Sequence, residues 1–587
     1  MSGFEVAGVA IGIAPIVFKA VAESMRILED TIRFDDDAED LVIRIETAKV
    51  HLSIWATSVG LAEGELVPAL HPINDLIVRT LQRIELLVTN LEQHGNKYGL
   101  QLRETVDAEP KRTSAMALQM RRSLHRVLRR SDPKRNLEAF IQAEKLNESV
   151  TNKKQIGVAS RLFWAVRDKE KFEHFVYTLE THISGLHKLV FEDQRKEVQQ
   201  EETRFSFHIV QEITDIGRLS LLQNSPPDER RSPEVDVAYL AQCKAITLQE
   251  VASLPRKSKI DDWSLSDTTL ADLTRIRFLK PGHDDPGVAY LYEKKEYDPN
   301  ISEQDKDILH ERIRRLVSLL GKPGSQRHLQ TLQAVGYTDD PGRHCWWIVF
   351  RFPLSPLDTL GSAASEPLSL RKLFDSPFKP ALETRYRLAR RIAYTFAKLY
   401  GSNWMHKGIN SNNIIFPEVY TTNAVVGFRQ FETALVQGFG YSRQYTEAQT
   451  IDRGKVLHDL EAAIYRHPLY QGETASGYQI HYDIYSLGLV LFEIALWSPL
   501  MALLAAKYKP GKVPPVALSP DMKQFYELEA KELHRRVNLR VDAEVAYRVG
   551  TKYKNAVHWC LNLKGPVTAI DFYNIVAVPL DDLCSSS

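Results

Sequence analysis

Apolar residues recur at helical spacing through the first third of the chain. Leu76, Ile77, Leu81, Ile84, Leu87, Val88 and Leu91 form one series, and Phe163, Phe172, Phe175, Val176, Leu179, Ile183 and Leu186 form another. Steps of three and four line such side chains along one stripe of a helix, with charges on the opposite face. Strand-like alternation is nearly absent here, and Pro72, Pro110 and Pro133 fall between the candidate helices, where a missing N–H does least harm. The pattern predicts an all-α helical bundle over residues 1–220. The stretch "QNSPPDERRSPEV" (223–235) mixes prolines and charges without apolar periodicity and predicts a linker, bounded at 221–244. Beyond it "RIRFL" and "VAYLYEKKEY" read as strands, "CWWIVFRFP" is an aromatic and β-branched run, and helical spacing dominates after residue 380. Strands first and helices later predict an α+β domain over 245–587, its sheet gathered in a small leading lobe.

Composition changes this picture little. The 587 residues are too many for one core, which makes the protein multidomain. A content of 44% hydrophobic, 26% charged and 9% aromatic residues is that of an ordinary globular chain. The 75 basic and 75 acidic residues cancel, so no global field favours nucleic acid or membrane. Cys243, Cys345, Cys560 and Cys584 are scattered without a C-x-x-C pair, which argues for a reducing, cytoplasmic address and against a metal or disulfide framework. Glu5 precedes the first apolar run, unlike the basic start of a signal peptide, and no stretch reaches the roughly 18 apolar residues of a membrane span.

Candidate chemistry lies in the second half. "HKGINSNNIIF" (406–416) resembles the catalytic loop of protein kinases, H-R-D-L-x-x-x-N. Three further stretches follow the same order: "CWWIVFRFP" (345–353) as the strand before the hinge, "LVQGFGYSR" (435–443) as the D-F-G segment, and "HYDIYSLGLVLFEIALW" (481–497) as the helix after the activation segment. The resemblance spans about 245–575 and implies a bilobal protein-kinase-like fold, with Asp483 as the buried aspartate that orients the loop. His406 and Asn413 are retained, but Gly408 stands where the proton-accepting aspartate belongs and Gly438 where the magnesium-binding one does. Kinase catalysis is positioning plus charge stabilisation, and glycine offers no carboxylate for either task. "KPGHDDPGVAY" has no Gly-rich phosphate loop and sets Asp284 and Asp285 near the phosphates, and "YRHPLYQG" carries Leu469 in place of the bracing glutamate. The expectation is a pseudokinase, not an enzyme and needing no cofactor. ATP binding, if any, would fall to Lys294, Glu311 and Asn413, with the strand register open and Lys295 adjacent to Lys294. The plainer reading of Lys294 and Glu311 is two solvated charges, and of Asn413 a structural loop amide.

The first half resembles the HeLo domain of fungal HET-s-type proteins. The residues that carry this are the opening "MSGFEVAGVAIGIAPIVFKAVAESMRIL", the W-A-x-x-x-G-L element within "RIETAKVHLSIWATSVGL" (44–61), and the W-A-x-x-D-K-E-K-F element within "ASRLFWAVRDKEKFEHFVYTLETHISGLHKL" (159–189). The resemblance covers about 4–215 and implies a role in heterokaryon incompatibility, prion inhibition and propagation, or programmed cell death, with the first helix acting in a membrane. No carboxy-terminal amyloid repeat accompanies it. Between Glu5 and Lys19 lie 13 uncharged residues, about 20 Å of helix against a hydrocarbon core of about 30 Å. Gly8 and Gly12 form a G-x-x-x-G spacing for close helix approach, and Pro15 would kink the segment; the plainer reading is a buried helix of a soluble bundle. Arg122, Arg126, Arg129 and Arg130 share one face of a basic stretch, suited either to anionic lipid or to plain solvation. No reader motif points to nucleic acid. The chain is thus expected to be a signalling effector that answers to protein partners and relocates to the plasma membrane on activation. The alternatives are a non-lytic interaction scaffold and a divergent active kinase.

Overall fold

Helix α1 (Ile13–Thr31) buries Ala14, Val17, Phe18, Val21, Met25 and Leu28 and leaves Ile13 and Ile16 exposed. The computed structural model describes residues 13–33, 39–98, 100–104, 115–131, 162–166, 168–223, 235–250, 275–280, 288–353, 367–377, 379–417, 433–441, 443–444, 459–471, 477–506 and 516–585. The chain divides into two units, Met1–Gln242 and Cys243–Ser587.

In the first unit the short strand β1 (Ile32–Arg33) follows α1, and then come α2 (Glu39–Ser58) and α3 (Asn74–His94). Helix α3 sets Ile77, Leu81, Ile84 and Val88 into the core, while Leu76, about 100° away from Ile77 around the helix, is exposed. Strand β2 (Leu100–Glu104) and helix α4 (Ala115–Ser131) precede β3 (Leu162–Val166), α5 (Lys169–His187), α6 (Glu192–Glu212) and α7 (Ile216–Gln223). One cluster joins α1, α2, α3 and α5 through residues such as Phe18, Trp55, Leu81, Phe172, Phe175 and Leu179. Each such side chain taken out of water stabilises the fold by about 1.5–3 kcal/mol. Between α2 and α5, Arg44 Nε and Nη2 donate to the two carboxylate oxygens of Glu180 at 3.0 and 2.7 Å, and Nη1 donates to Glu173.

The unit is helical, but not all-α. β1, β3 and β2 form a three-stranded sheet in that order, with Ile32 opposite Trp164 and Leu102 opposite Trp164 on the other side. Phe163 therefore belongs to a strand and not to the helical series. The five-residue run "LFWAV" is too short and too rich in aromatic and β-branched residues for a helix, and Asp168 ends it by accepting from Lys171 N at 3.2 Å as the N-cap of α5.

Helix α8 (Val237–Leu248) lies largely in the segment read as linker, with Tyr239, Leu240, Ala241 and Ile246 buried. The second unit then builds an antiparallel sheet from β4 (Arg275–Lys280), β5 (Val288–Glu296), β6 (Gln333–Asp340) and β7 (Cys345–Phe352) in the order β4-β5-β7-β6. Strand β7 is central and buried on both faces except at Arg351, which explains its unbroken apolar run. Helix α9 (Glu303–Leu320), capped by Ser302, packs on β6. Small two- and three-stranded sheets and helices follow: β8 (Leu368–Ser369), α10 (Leu370–Asp375), α11 (Leu382–Gly401), β9 (Trp404–Met405), β10 (Ile414–Phe416), β11 (Leu435–Val436) and β12 (Arg443–Gln444). Helix α12 (Ile480–Leu496) is buried along its whole length, with apolar residues on every side of it and His481, Asp483, Ser486 and Glu493 buried among them. Helices α13 (Glu527–Arg540) and α14 (Ala546–Asn562) follow, and α14 packs on α12.

Candidate functional site

The loop 406–413 joins β9 to β10 and is held from below by the first turn of α12. Asp483 is fully buried and accepts from His406 N at 2.6 Å, Lys407 N at 2.8 Å and the Tyr478 hydroxyl at 2.6 Å. Burial pushes its carboxyl above the ordinary aspartate value, against the opposing pull of these donors. Lys407 takes a left-handed φ of 63°, a strain of about 1–2 kcal/mol for a non-glycine residue. The Lys407 ammonium lies over the Tyr478 and Tyr470 rings, 4.8 and 5.5 Å from their centroids.

His406 is buried between Phe396 and Phe439. Its Nδ1 accepts from Gly408 N at 3.2 Å, so the proton sits on Nε2 and is donated to the Gln437 carbonyl at 2.9 Å. Burial pushes the imidazole down to about 3, so His406 is neutral at physiological pH and serves as a strut between the loop and the segment after β11.

Asn413 is engaged at both ends. Its Nδ2 donates to the Gly408 carbonyl at 2.5 Å, and its Oδ1 accepts from Arg275 Nη2 at 2.6 Å. Arg275 Nη1 also donates to the Asn412 carbonyl at 3.1 Å, and Arg275 Nε lies 4.0 Å from Glu293 Oε2. Glu293, buried on β5, accepts from Gly438 N at 3.2 Å. Gly438 has φ 86°, and a Cβ built there would overlap the Asn413 side-chain amide. The glycine is thus required twice, by its backbone and by its neighbour. Gly438→Ala should cost about 2–4 kcal/mol from left-handed strain plus overpacking, read as a lower urea midpoint of the intact chain. Gly408 is less confined, with the Gly438 carbonyl 3.2 Å from where its Cβ would lie.

The structure does not bring Lys294 and Glu311 together. Lys294 pairs with Glu296 at 2.7 Å on its own strand and lies opposite Trp347, while Glu311 is exposed on α9. Strand parity is the reason: Ala289, Leu291, Glu293 and Lys295 share one face of β5 and Lys294 takes the other. The side chains on the loop-facing side are Glu293, Lys295, which is buried with its Cδ beside Gly440, and, across the strand pair, Arg275, whose register partner is Glu293. Asp284 and Asp285 lie outside the described residues. Among the described residues no cluster of three or more His, Cys, Asp or Glu is arranged for a metal.

A second buried carboxylate of α12 went unnoticed in the sequence. Glu493 Oε1 accepts from the Tyr465 hydroxyl and from Leu500 N, each at 2.6 Å, and the Tyr465 hydroxyl also meets Ser411 Oγ at 2.9 Å. Burial pushes the Glu493 carboxyl up to about 7. Its place ten residues after Asp483, as the one polar residue of the run "LGLVLFEIALW" (487–497), was the available signal, since an acid there needs internal donors.

In the helical unit, the two sequence elements that stand out have clear packing roles. Trp55, Ala56 and Leu61 are core residues, and Gly60, with φ 83°, turns the chain where a Cβ would overlap the Glu65 carbonyl. Trp164 and Ala165 sit in β3, Asp168 caps α5, and Phe172 enters the core stacked on Phe175 at 5.5 Å. Residues 6–222 match the family model of the HeLo domain, described as prion-inhibition and propagation. No curated protein matches the chain. Among solved structures, that of titin kinase and its flanking domains is similar at TM-score 0.33 and 13% identity, over 53% of this chain and 48% of that one. The matched part spans about half of that protein, and a likeness of this size supports no statement on fold or activity.

Within the matched residues, Pro15 is buried in α1, and Gly8 and Gly12 lie outside the described residues. The basic face of α4 is partly consumed internally: Arg126 ion-pairs with Glu212 and Arg121 with Glu46 at 3.1 Å. Arg122 is exposed, and Arg129 and Arg130 lie in the last turn of α4, their side chains outside the described set. Among the described residues no helix is long and apolar enough to cross a membrane.

Proposed function

We propose that this chain is a signalling effector of the fungal incompatibility or programmed-cell-death type, with a membrane-active HeLo region and a bilobal, kinase-like unit that is catalytically inert. One observation carries the second half of this reading. The loop 406–413 keeps its shape through the Asp483 tether, while the positions that would supply a proton acceptor and a metal ligand are Gly408 and Gly438. The sheet order β4-β5-β7-β6 with α9 beside it, followed by a mainly helical part, supports the kinase-like architecture. The first half of the reading rests on the family match over 6–222. In such a protein the kinase-like unit would bind an upstream partner and hold the HeLo region inactive, and anionic lipid would be met only after release.

The test is leakage from anionic liposomes. Residues 1–222 should permeabilise them and the intact chain should not; Gly12→Ala, which obstructs close helix approach, should reduce leakage while circular dichroism stays helical. Absence of leakage from a folded 1–222 fragment would favour the interaction-scaffold reading. Transfer of phosphate from magnesium–ATP by the intact chain, above that of a Gly408→Pro control, would favour the divergent-kinase reading.

A further inference from the structure

We propose that Arg275 is an internal cationic latch, which joins the sheet to the loop 406–413 and takes the place that a metal-bound nucleotide would hold in a kinase cleft. The latch itself stands on geometry alone; only the comparison with a nucleotide rests on the kinase-like reading.

The guanidinium bridges two elements far apart in sequence. Arg275 begins β4, and its two Nη groups bind Asn413 Oδ1 at 2.6 Å and the Asn412 carbonyl at 3.1 Å. A planar fork of fixed donors suits two oxygens side by side, and it remains charged at any physiological pH. Glu293 completes the arrangement: it is the cross-strand partner of Arg275, its Oε2 lies 4.0 Å from Arg275 Nε, and the same oxygen receives Gly438 N at 3.2 Å. The cation is therefore surrounded by a carboxylate, a side-chain amide oxygen and a main-chain carbonyl, a set of hard oxygens like those that bind magnesium.

This set does not fit a magnesium–nucleotide. Gly408 and Gly438 give no carboxylate to a metal, the amide of Asn413 is spent on Arg275 and Gly408, and Glu293 would oppose a phosphate. An aspartate at 438 would collide with Asn413. Arg275 stands against Glu293, and the buried Lys295 lies on the same face of β5 as that glutamate with its Cδ beside Gly440.

Hydrogen exchange on the intact chain tests the latch. In Arg275→Met the amides of 406–413 and of Gly438 should exchange about tenfold faster, equivalent to about 1.4 kcal/mol, while those of α3 in the helical unit stay unchanged. Arg275→Lys should give an intermediate rate, because one ammonium cannot hold Asn412 O and Asn413 Oδ1 in the same fork. Wild-type exchange should be the same in EDTA and in magnesium–ATP. Unchanged exchange in both variants, with near-native circular dichroism, would overturn the latch. So would strong added protection of 406–413 by magnesium–ATP in the wild type. Phosphate transfer by a protein whose latch behaves as expected would instead remove the inert-kinase reading and leave the latch standing.

Discussion

Asp483→Ala should be the most damaging single substitution in the second unit, lowering its stability by about 3–5 kcal/mol. The loss leaves His406 N, Lys407 N and the Tyr478 hydroxyl without their acceptor in a fully buried place, and each buried donor so stranded costs about 1–3 kcal/mol. Lys407 would also lose the contact that holds it at φ 63°. Asp483→Asn keeps one acceptor oxygen but turns an NH2 toward a donor, so a smaller, still clear, loss is expected. Chemical denaturation of the intact chain, followed by hydrogen exchange of 404–416, reads the effect. A change in midpoint no larger than that of a surface substitution would show that the tether carries little of the fold.

The second large effect belongs to Trp55→Ala, with an expected loss of about 3–5 kcal/mol in the helical unit. Trp55 is among the largest fully buried side chains of the protein and sits where α1, α2, α3 and α5 meet. Its removal opens a cavity that packed helices cannot close without moving against each other. Exchange in α3 and α5 should accelerate together while the loop 406–413 is unaffected. A loss confined to α2 would mean that the cluster is not a single cooperative core.

Legibility differed between residues in a way that follows from range. The stripes of α3 and α5 were visible because helical spacing is local, down to Ile77, Leu81, Phe172 and Phe175. Leu76 was misplaced because a stripe read from spacing alone does not say where its edge lies. "LFWAV" escaped because short apolar runs look alike in strand and helix, and its partners in β1 and β2 are distant in sequence. Around the loop 406–413, His406, Gly408 and Asn413 and the distant Asp483 could be read as a motif. Lys294 and Lys295 adjoin in the sequence, and which of the two faces the loop is decided by strand parity. Arg275 had no local mark at all. Its role appears only when β4 and β5 pair in the register Arg275 to Glu293.

The Asp483 tether grips amide groups of the backbone and leaves the side chains of the loop alone. A loop fastened in this way has its course at 406 and 407 set by groups that every non-proline residue carries. Further along, the side chains take over: Ile409 and Ser411 are buried, the Ser411 hydroxyl meets that of Tyr465, and Asn410 Oδ1 accepts from Asn413 N. The loop is thus fixed by main chain where it starts and by side chains where it ends, so substitutions should disturb its later half more readily than its first two residues.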